Sequence, residues 1–243
     1  MATGPTRCRW TGTSCASAHN EPVELDHVFC MVNPDDDWAA RLAAAGWRLD
    51  AGMTHAGQGS RNRRLRWPGC YLELLWVHDR AEARENVLRL DRRADWQRTG
   101  ASPFGIGLRG TLPETERVDY RRYDGLPMPV WVHRDNEDAP ERPFVFVLDL
   151  DEHRPPTVGN RGALQVLRHT GPAPARLPGY RGADVEYAPG PHRLEVVLDA
   201  GSPLDVTAHL LLQGRAIGGV RRVGDTAHRD GGARGTDAGR GPP

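Results

Sequence analysis

His27 and Glu73 are the residues whose types and settings could do chemistry. His27 lies in Val23-Glu24-Leu25-Asp26-His27-Val28-Phe29-Cys30-Met31-Val32, and Glu73 in Cys70-Tyr71-Leu72-Glu73-Leu74-Leu75-Trp76-Val77. Both segments read as strands. β-Branched, aromatic and aliphatic residues dominate them; Asn33-Pro34 closes the first and Pro68-Gly69 opens the second. A period of two puts His27 on one face with Leu25, Phe29 and Met31, and Glu73 on one face with Tyr71, Leu75 and Val77. A carboxylate in so apolar a strand is costly to bury unless something pairs with it. Taken alone, His27 is more readily a core histidine bonded to a backbone carbonyl. Together with Glu73 it suggests a shared polar site, which is half of a metal centre or an acid–base pair.

The elements that must position these two residues follow from turn signals and periodicity. After a strand over about 23–32, Asn33-Pro34-Asp35 starts a helix over about 35–45 through Trp38 and Leu42, with Gly46 just past its end. Strands at about 47–53, 61–67 and 70–77 complete a β-α-β-β-β order, with the glycine-bearing loop Thr54 to Ser60 between the second and third. Residues 79–96 read as a charged surface helix. A strand at 104–109, a helix over about 113–122 and strands at about 127–133 and 143–150 echo the first unit in topology, not in sequence. Later strands are expected over 162–169, 192–199 and 204–212. The chain thus divides into a flexible tail (1–20), a first module with its connecting helix (21–100), a divergent second module with extra strands (101–221) and a disordered tail (222–243).

Composition removes several function classes. The 243 residues carry 32 basic and 32 acidic side chains, so no basic excess points to nucleic acid. All the basic residues are arginine, which excludes a Schiff-base lysine and a phosphate-loop lysine. Apolar runs are only strand-length, and no membrane span is expected. Cys8, Cys15, Cys30 and Cys70 have no CxxC spacing, and no hydrophobic signal segment opens the sequence, so a reducing cytoplasm is the expected compartment. No Gly-x-Ser-x-Gly elbow or Cys–His signature occurs. His169, His192 and His209 are scattered over late strands, and the offset of three between His192 and Glu195 points them to opposite faces.

Leu25-Asp26-His27-Val28, His55-x-Gly57-x-Gly59-x-x-Asn62-Arg63 and Tyr71-Leu72-Glu73-Leu74 together resemble the glyoxalase-like branch of the vicinal oxygen chelate superfamily, over about 23–150. The resemblance implies an α+β fold in which paired β-α-β-β-β modules form a cupped, mostly antiparallel sheet with helices outside. It implies a small-molecule ligand in the cup, and a monomer or homodimer with no nucleic-acid or membrane partner. His27 matches the first-strand metal ligand and Glu73 the fourth-strand ligand, so a divalent metal and a catalytic role for Glu73 are implied. His55, Asn62 and Arg63 fall where a loop should overhang the cup and offer donors to an anionic or carbonyl-bearing ligand. Trp67, Tyr71 and Trp76 read first as core, with Tyr71 retained as a ligand contact because it shares the Glu73 face.

The second module departs from the pattern. Phe104 to Arg109 holds no His, Gln, Glu or Asp, and Pro143-Phe144-Val145-Phe146-Val147 stands where relatives often place an acid or amide. A catalytic divalent metal generally needs three protein ligands and an open position. The third would have to be Asp149, with His133 and His153 as further candidates. Two functions stay open: metal-assisted isomerase, lyase or dioxygenase chemistry, and metal-free binding or sequestration of a small molecule.

Overall fold

The structure, a computed structural model, describes residues 8–10, 23–150, 159–177 and 179–214. Its first strand is β1 (Cys8–Trp10). The strands β2 (Glu24–Met31), β3 (Met53–His55), β4 (Ser60–Trp67), β5 (Cys70–Val77), β6 (Phe104–Arg109), β7 (Tyr120–Tyr123), β8 (Val130–His133) and β9 (Phe144–Leu148) build one curled sheet. Its order is β3-β4-β5-β2-β6-β9-β8-β7. β2 runs parallel to β5 and β6 parallel to β9, while β2 and β6 meet antiparallel at the centre. Each half therefore has the same strand order outward from the seam, and the expected paired modules are present.

The helix α1 (Trp38–Ala44) follows β2, burying Trp38 and Leu42, which lie four residues apart on one stripe. The corresponding position in the second half holds only a 3-10 helix, Glu114–Asp119. The helix expected to 122 stops early because Tyr120–Tyr123 pairs with β8. The single helix expected over 79–96 is three: α2 (Arg80–Glu85), α3 (Leu90–Ala94) and α4 (Trp96–Thr99). Arg89 breaks it at φ 50, and the Asn86 amide donates to Gly57 O and lies 3.0 Å from the Tyr123 hydroxyl, drawing the segment across the sheet. These short helices lie over the concave face, where Leu90 packs with Phe29, Met31, Leu75 and Phe144. Among the described residues no helix is long and apolar enough to cross a membrane.

The extra strands form a second sheet of their own: β10 (Leu164–Thr170), β11 (Asp184–Ala188), β12 (Arg193–Leu198), β13 (Leu204–Thr207) and β14 (Leu210–Gly214), in the order β1-β11-β10-β12-β14-β13. The strand expected over 204–212 turns at Ala208-His209, and β11 was not expected. The main core is the layer between the two sheets, where Val28, Cys30, Leu72, Leu74, Ile106 and Val145 meet Leu167, Val196, Leu198 and Leu212. β1 lies within the expected N-terminal tail. The rest of that tail, the whole C-terminal tail over 222–243 and His153 fall outside the described residues.

Candidate functional site

The alternation of β2 is not uniform. Leu25 pairs with Leu108 but His27 with Gly107, so β2 holds one extra residue, Asp26, in a bulge. Leu25 therefore joins Val28 and Cys30 in the inter-sheet core, not the His27 face as period two alone implies. His27, Phe29 and Met31 face the cup. On β5 the cup-facing residues are Tyr71, Glu73 and Leu75, and parallel pairing sets His27 beside Tyr71 and Phe29 beside Glu73.

Within the cup, His27 Nε2 lies 3.5 Å from Glu73 Oε2, and both side chains are buried. The other imidazole nitrogen, Nδ1, is 2.6 Å from Asp26 Oδ1. With the Nδ1 proton donated to Asp26, Nε2 is the nitrogen presented to Glu73, so the two can approach favourably only by sharing a proton, a water or a cation. Burial lowers the His27 pKa, but the Asp26 hydrogen bond and the charges of Asp26 and Glu73 outweigh it and raise it above the ordinary histidine value. Tyr71 stacks on the imidazole with centroids 4.4 Å apart and Phe146 meets it edge-on at 5.2 Å, which fixes the ring plane. Burial, then Glu73 and Asp26, push the Tyr71 phenol well up, so it stays protonated.

The β3–β4 hairpin completes the site. The Asn62 amide donates a short hydrogen bond to Glu73 Oε1, and its nitrogen lies 3.2 Å from His55 Nε2. Asn62 Oδ1 accepts from the Met53 N–H at 2.8 Å, so its amide orientation is determined. His55 Nδ1 is 2.9 Å from Ser60 Oγ. Burial lowers the His55 pKa against the pull of Glu73, and a neutral ring suits both contacts. The loop is held by Glu82, whose carboxylate accepts from the Gly57 and Gly59 N–H groups at 2.7 and 2.6 Å.

Thus His27, His55, Asn62, Tyr71 and Glu73 come together, and three other candidates do not join them. Arg63 alternates onto the opposite face with Leu65, and its Nε donates to Asp50 O at 3.1 Å. Asp149 follows Leu148 beyond β9 on the side of Val147, and its Oδ2 lies 3.4 Å from the Trp131 indole nitrogen. His133 shares the Trp131 side of β8, with its Nδ1 accepting from the Asp135 N–H.

Sequence reasoning missed two contributors. Asp26 orients His27, and only the bulge brings it to that task. Arg64, not Arg63, lies opposite Glu73; period two from Asn62 selects 64 and 66 and would have found it. Asp50 accepts from Arg64 Nε at 2.7 Å and Arg66 Nε at 2.9 Å, and both guanidiniums lie over Tyr71. Although burial opposes it, the arginines hold the Asp50 carboxyl below the usual range.

The donor set does not fit a three-ligand divalent-metal centre. Asn62 occupies the approach between Glu73 Oε1 and His55 Nε2, and no group of three His, Cys, Asp or Glu side chains among the described residues converges as metal ligands. From the second module, Gly105, Gly107, Phe144, Phe146 and Leu148 face the cup near the seam, and Arg109 at the end of β6 lies 3.6 Å from Asp26.

Paired β-α-β-β-β halves closing one curled sheet define the fold of the vicinal oxygen chelate superfamily. The glyoxalase-like domain family matches residues 25–122, less than half of the chain. A hypothetical protein from Staphylococcus aureus shares the fold at TM-score 0.52 and 10% identity, over 79% of this chain and 99% of that one. Methylmalonyl-CoA epimerase from Mycobacterium tuberculosis aligns at TM-score 0.37 and 17% identity, over 58% of this chain and 95% of that one. A Streptomyces coelicolor methylmalonyl-CoA epimerase in complex with 2-nitronate-propionyl-CoA gives TM-score 0.38 and 14% identity, over 54% and 100%. No curated protein matches the chain.

Proposed function

We propose that the protein binds a small polar organic molecule in the first-module half of the cup, with His27 and Glu73 as a metal-free proton-sharing pair. The observation that carries this reading is the buried His27–Glu73 approach at 3.5 Å, with Asp26 behind the imidazole and the Asn62 amide on the carboxylate. A carbonyl or hydroxyl entering between Nε2 and Oε2 would meet a donor on one side and an acceptor on the other. That is the arrangement needed to hold such a group, or to move a proton at the carbon beside it. Asn62 and His55 position Glu73, and Tyr71 and Phe146 keep the imidazole in plane. The reading includes ligand sequestration without turnover, since the same contacts serve binding alone.

A second reading is favoured by one observation. A carboxylate on the far nitrogen of an imidazole is the usual support of a metal-ligating histidine, and Asp26 supplies it. His27 and Glu73 would then be the two residues of this chain to hold a divalent ion.

The test is a titration of the His27 ring followed by NMR, with elemental analysis of protein purified without chelators. Under the proton-sharing reading, small 2-oxo and 2-hydroxy acids shift the His27 signals. Glu73→Gln lowers the His27 pKa, abolishes those shifts and leaves metal content at background. Stoichiometric manganese, iron, zinc or nickel in the wild type, lost in Glu73→Gln, would replace this reading by the second. An unchanged His27 pKa in Glu73→Gln would remove the shared proton altogether.

A further inference from the structure

The second-module half of the cup holds a cavity of about 410 Å³ that contains none of His27, His55, Asn62 or Glu73. That volume lies in the range of sites for small organic ligands. Apolar side chains, Phe144 and Val132 with Leu88 beside them, form part of its lining and belong to the cup-facing cluster. Around them stand Arg89, Arg92, Arg121, Arg122 and Arg134, against only Glu85 and Glu137. Arg121 projects on the cup face, directly across from Val132.

Their present partners leave much of that charge available. Arg92 makes no ion pair or side-chain hydrogen bond among the described residues. Arg134 Nε donates to Val118 O, a neutral acceptor, at 2.9 Å. Arg121 meets Glu137 at 2.5 Å and Arg122 meets Asp124 at 2.6 Å, with all four side chains more than half exposed. Exposed pairs of this kind contribute little, so an incoming anion can displace the acid without a large penalty. Arg89, by contrast, is held bidentate by Asp91.

A second observation is independent of the rim. Arg93 is 1% exposed, lies 5.0 Å from the Phe144 ring, and donates through Nη1 to Ser102 O and Arg142 O. Its Nη2 has no hydrogen-bond partner, and it makes no ion pair among the described residues. Glu141 acts on it through charge without forming an ion pair, and the buried guanidinium adds to the positive field on the Phe144 side of the cup. The net result is an apolar floor beneath a cationic rim.

We infer that this pocket is a second binding site, separate from the His27–Glu73 pair, for a small organic anion with an apolar body: a carboxylate or phosphate group at the arginine rim and a hydrocarbon or aromatic part on Phe144 and Val132. The shared chemistry is a compact oxyanion, and the two head groups are resolved by separate probes.

The experiment is calorimetric titration of the full-length protein with benzoate and with phenyl phosphate, beside benzyl alcohol and inorganic phosphate as controls. At least one aryl anion is expected to bind about tenfold or more tightly than either control, and the preferred one names the head group. Arg92→Gln and Arg121→Gln should each weaken it about fivefold to tenfold, while Arg98→Gln, on an exposed arginine outside the pocket, leaves it unchanged. Glu73→Gln should also leave it unchanged, so failure here and failure of the proton-sharing reading register separately. Benzyl alcohol binding as tightly as the anions would overturn the inference by removing the charge requirement. Inorganic phosphate binding as tightly would overturn it by removing the apolar floor. Full affinity in both Arg92→Gln and Arg121→Gln, or its loss in Glu73→Gln, would overturn it by placing the ligand elsewhere.

Discussion

The two modules share a strand order but differ in what they place in the cup. The first sends in His27, Tyr71, Glu73, Asn62 and His55; the second, beside the seam, sends glycine and phenylalanine. This difference does more than remove ligands. A Cβ on Gly105 would stand 2.1 Å from the Phe29 ring, and one on Gly107 would stand 2.7 Å from Phe146 and 2.8 Å from His27 Cε1. The bare strand β6 is thus the bed on which the side chains of β2 lie. One module carries polar chemistry because the other has given up its side chains to make room. Topological repetition therefore says little about where a site will be.

The comparison is most directly broken at the packing end. Phe144→Ala removes a buried ring shared by β9 and the α3 segment, and should cost about 3–5 kcal/mol in denaturant unfolding. A loss below about 1 kcal/mol would show that the second module is not a packing scaffold.

Acid pH should give the next largest effect, through the back of the same module. Phe104 of β6 rests edge-on against His169 at 5.5 Å, and His169, His192 and His209 gather around it and Trp96. Burial pushes the His169 pKa down to about 4, with His192 adding to the shift, and neither ring nitrogen has a partner. Because the folded value lies below the unfolded one, the unfolded chain takes up the proton first. Stability is full above about pH 6.5 and falls as pH drops towards 4, by about 2 kcal/mol at pH 5. His27, raised, acts with the opposite sign: its contribution is present below the unfolded value and lost as pH rises through the folded one. Comparing urea unfolding of wild type and His169→Leu at pH 7.5 and pH 5 isolates the first effect, and equal slopes in the two proteins would refute it.

Gly107→Ala sharpens the comparison at the seam. The methyl group has no room beside Phe146 and His27, so stability should fall by about 1–3 kcal/mol and the His27 ring should leave its Asp26–Glu73 alignment. Unchanged His27 chemical shifts would show that β6 does not set the imidazole. Smallest of all should be the stability effect of Glu73→Gln, within about 1 kcal/mol. The amide can accept from Asn62 and donate to a neutral His27, while a buried charge is removed. A thermal melt reads this change, and a large loss would assign Glu73 to the fold.

Most of the sheet was legible because strand alternation and turn residues are local. β2, β4, β5, α1 and the cup-facing set of β5 follow from period two and from Trp38 and Leu42 on one stripe, whereas the strand expected over 47–53 is Met53–His55, running into the segment read as a loop. What escaped depends on distant partners. Nothing within residues 79–96 announces the break at Arg89, which accompanies tertiary hydrogen bonds from Asn86 to Gly57 and Tyr123. The gathering of His169, His192 and His209 depends on two sheets packing, so the sequence shows them only as scattered. Arg63 was a failure of another kind, since the alternation applied to Glu73 also selects Arg64.

The bulge at Asp26 has one more consequence. If the strand took up Asp26 in regular alternation and did not bulge, His27 would follow Val23 and Leu25 into the layer between the sheets while Val28 and Cys30 faced the cup. The address of the imidazole is therefore written in the place where the strand bulges as well as in residue identity. Deleting Asp26 would flatten the bulge and still leave His27 opposite Gly107 and facing the cup, but with no carboxylate on its Nδ1.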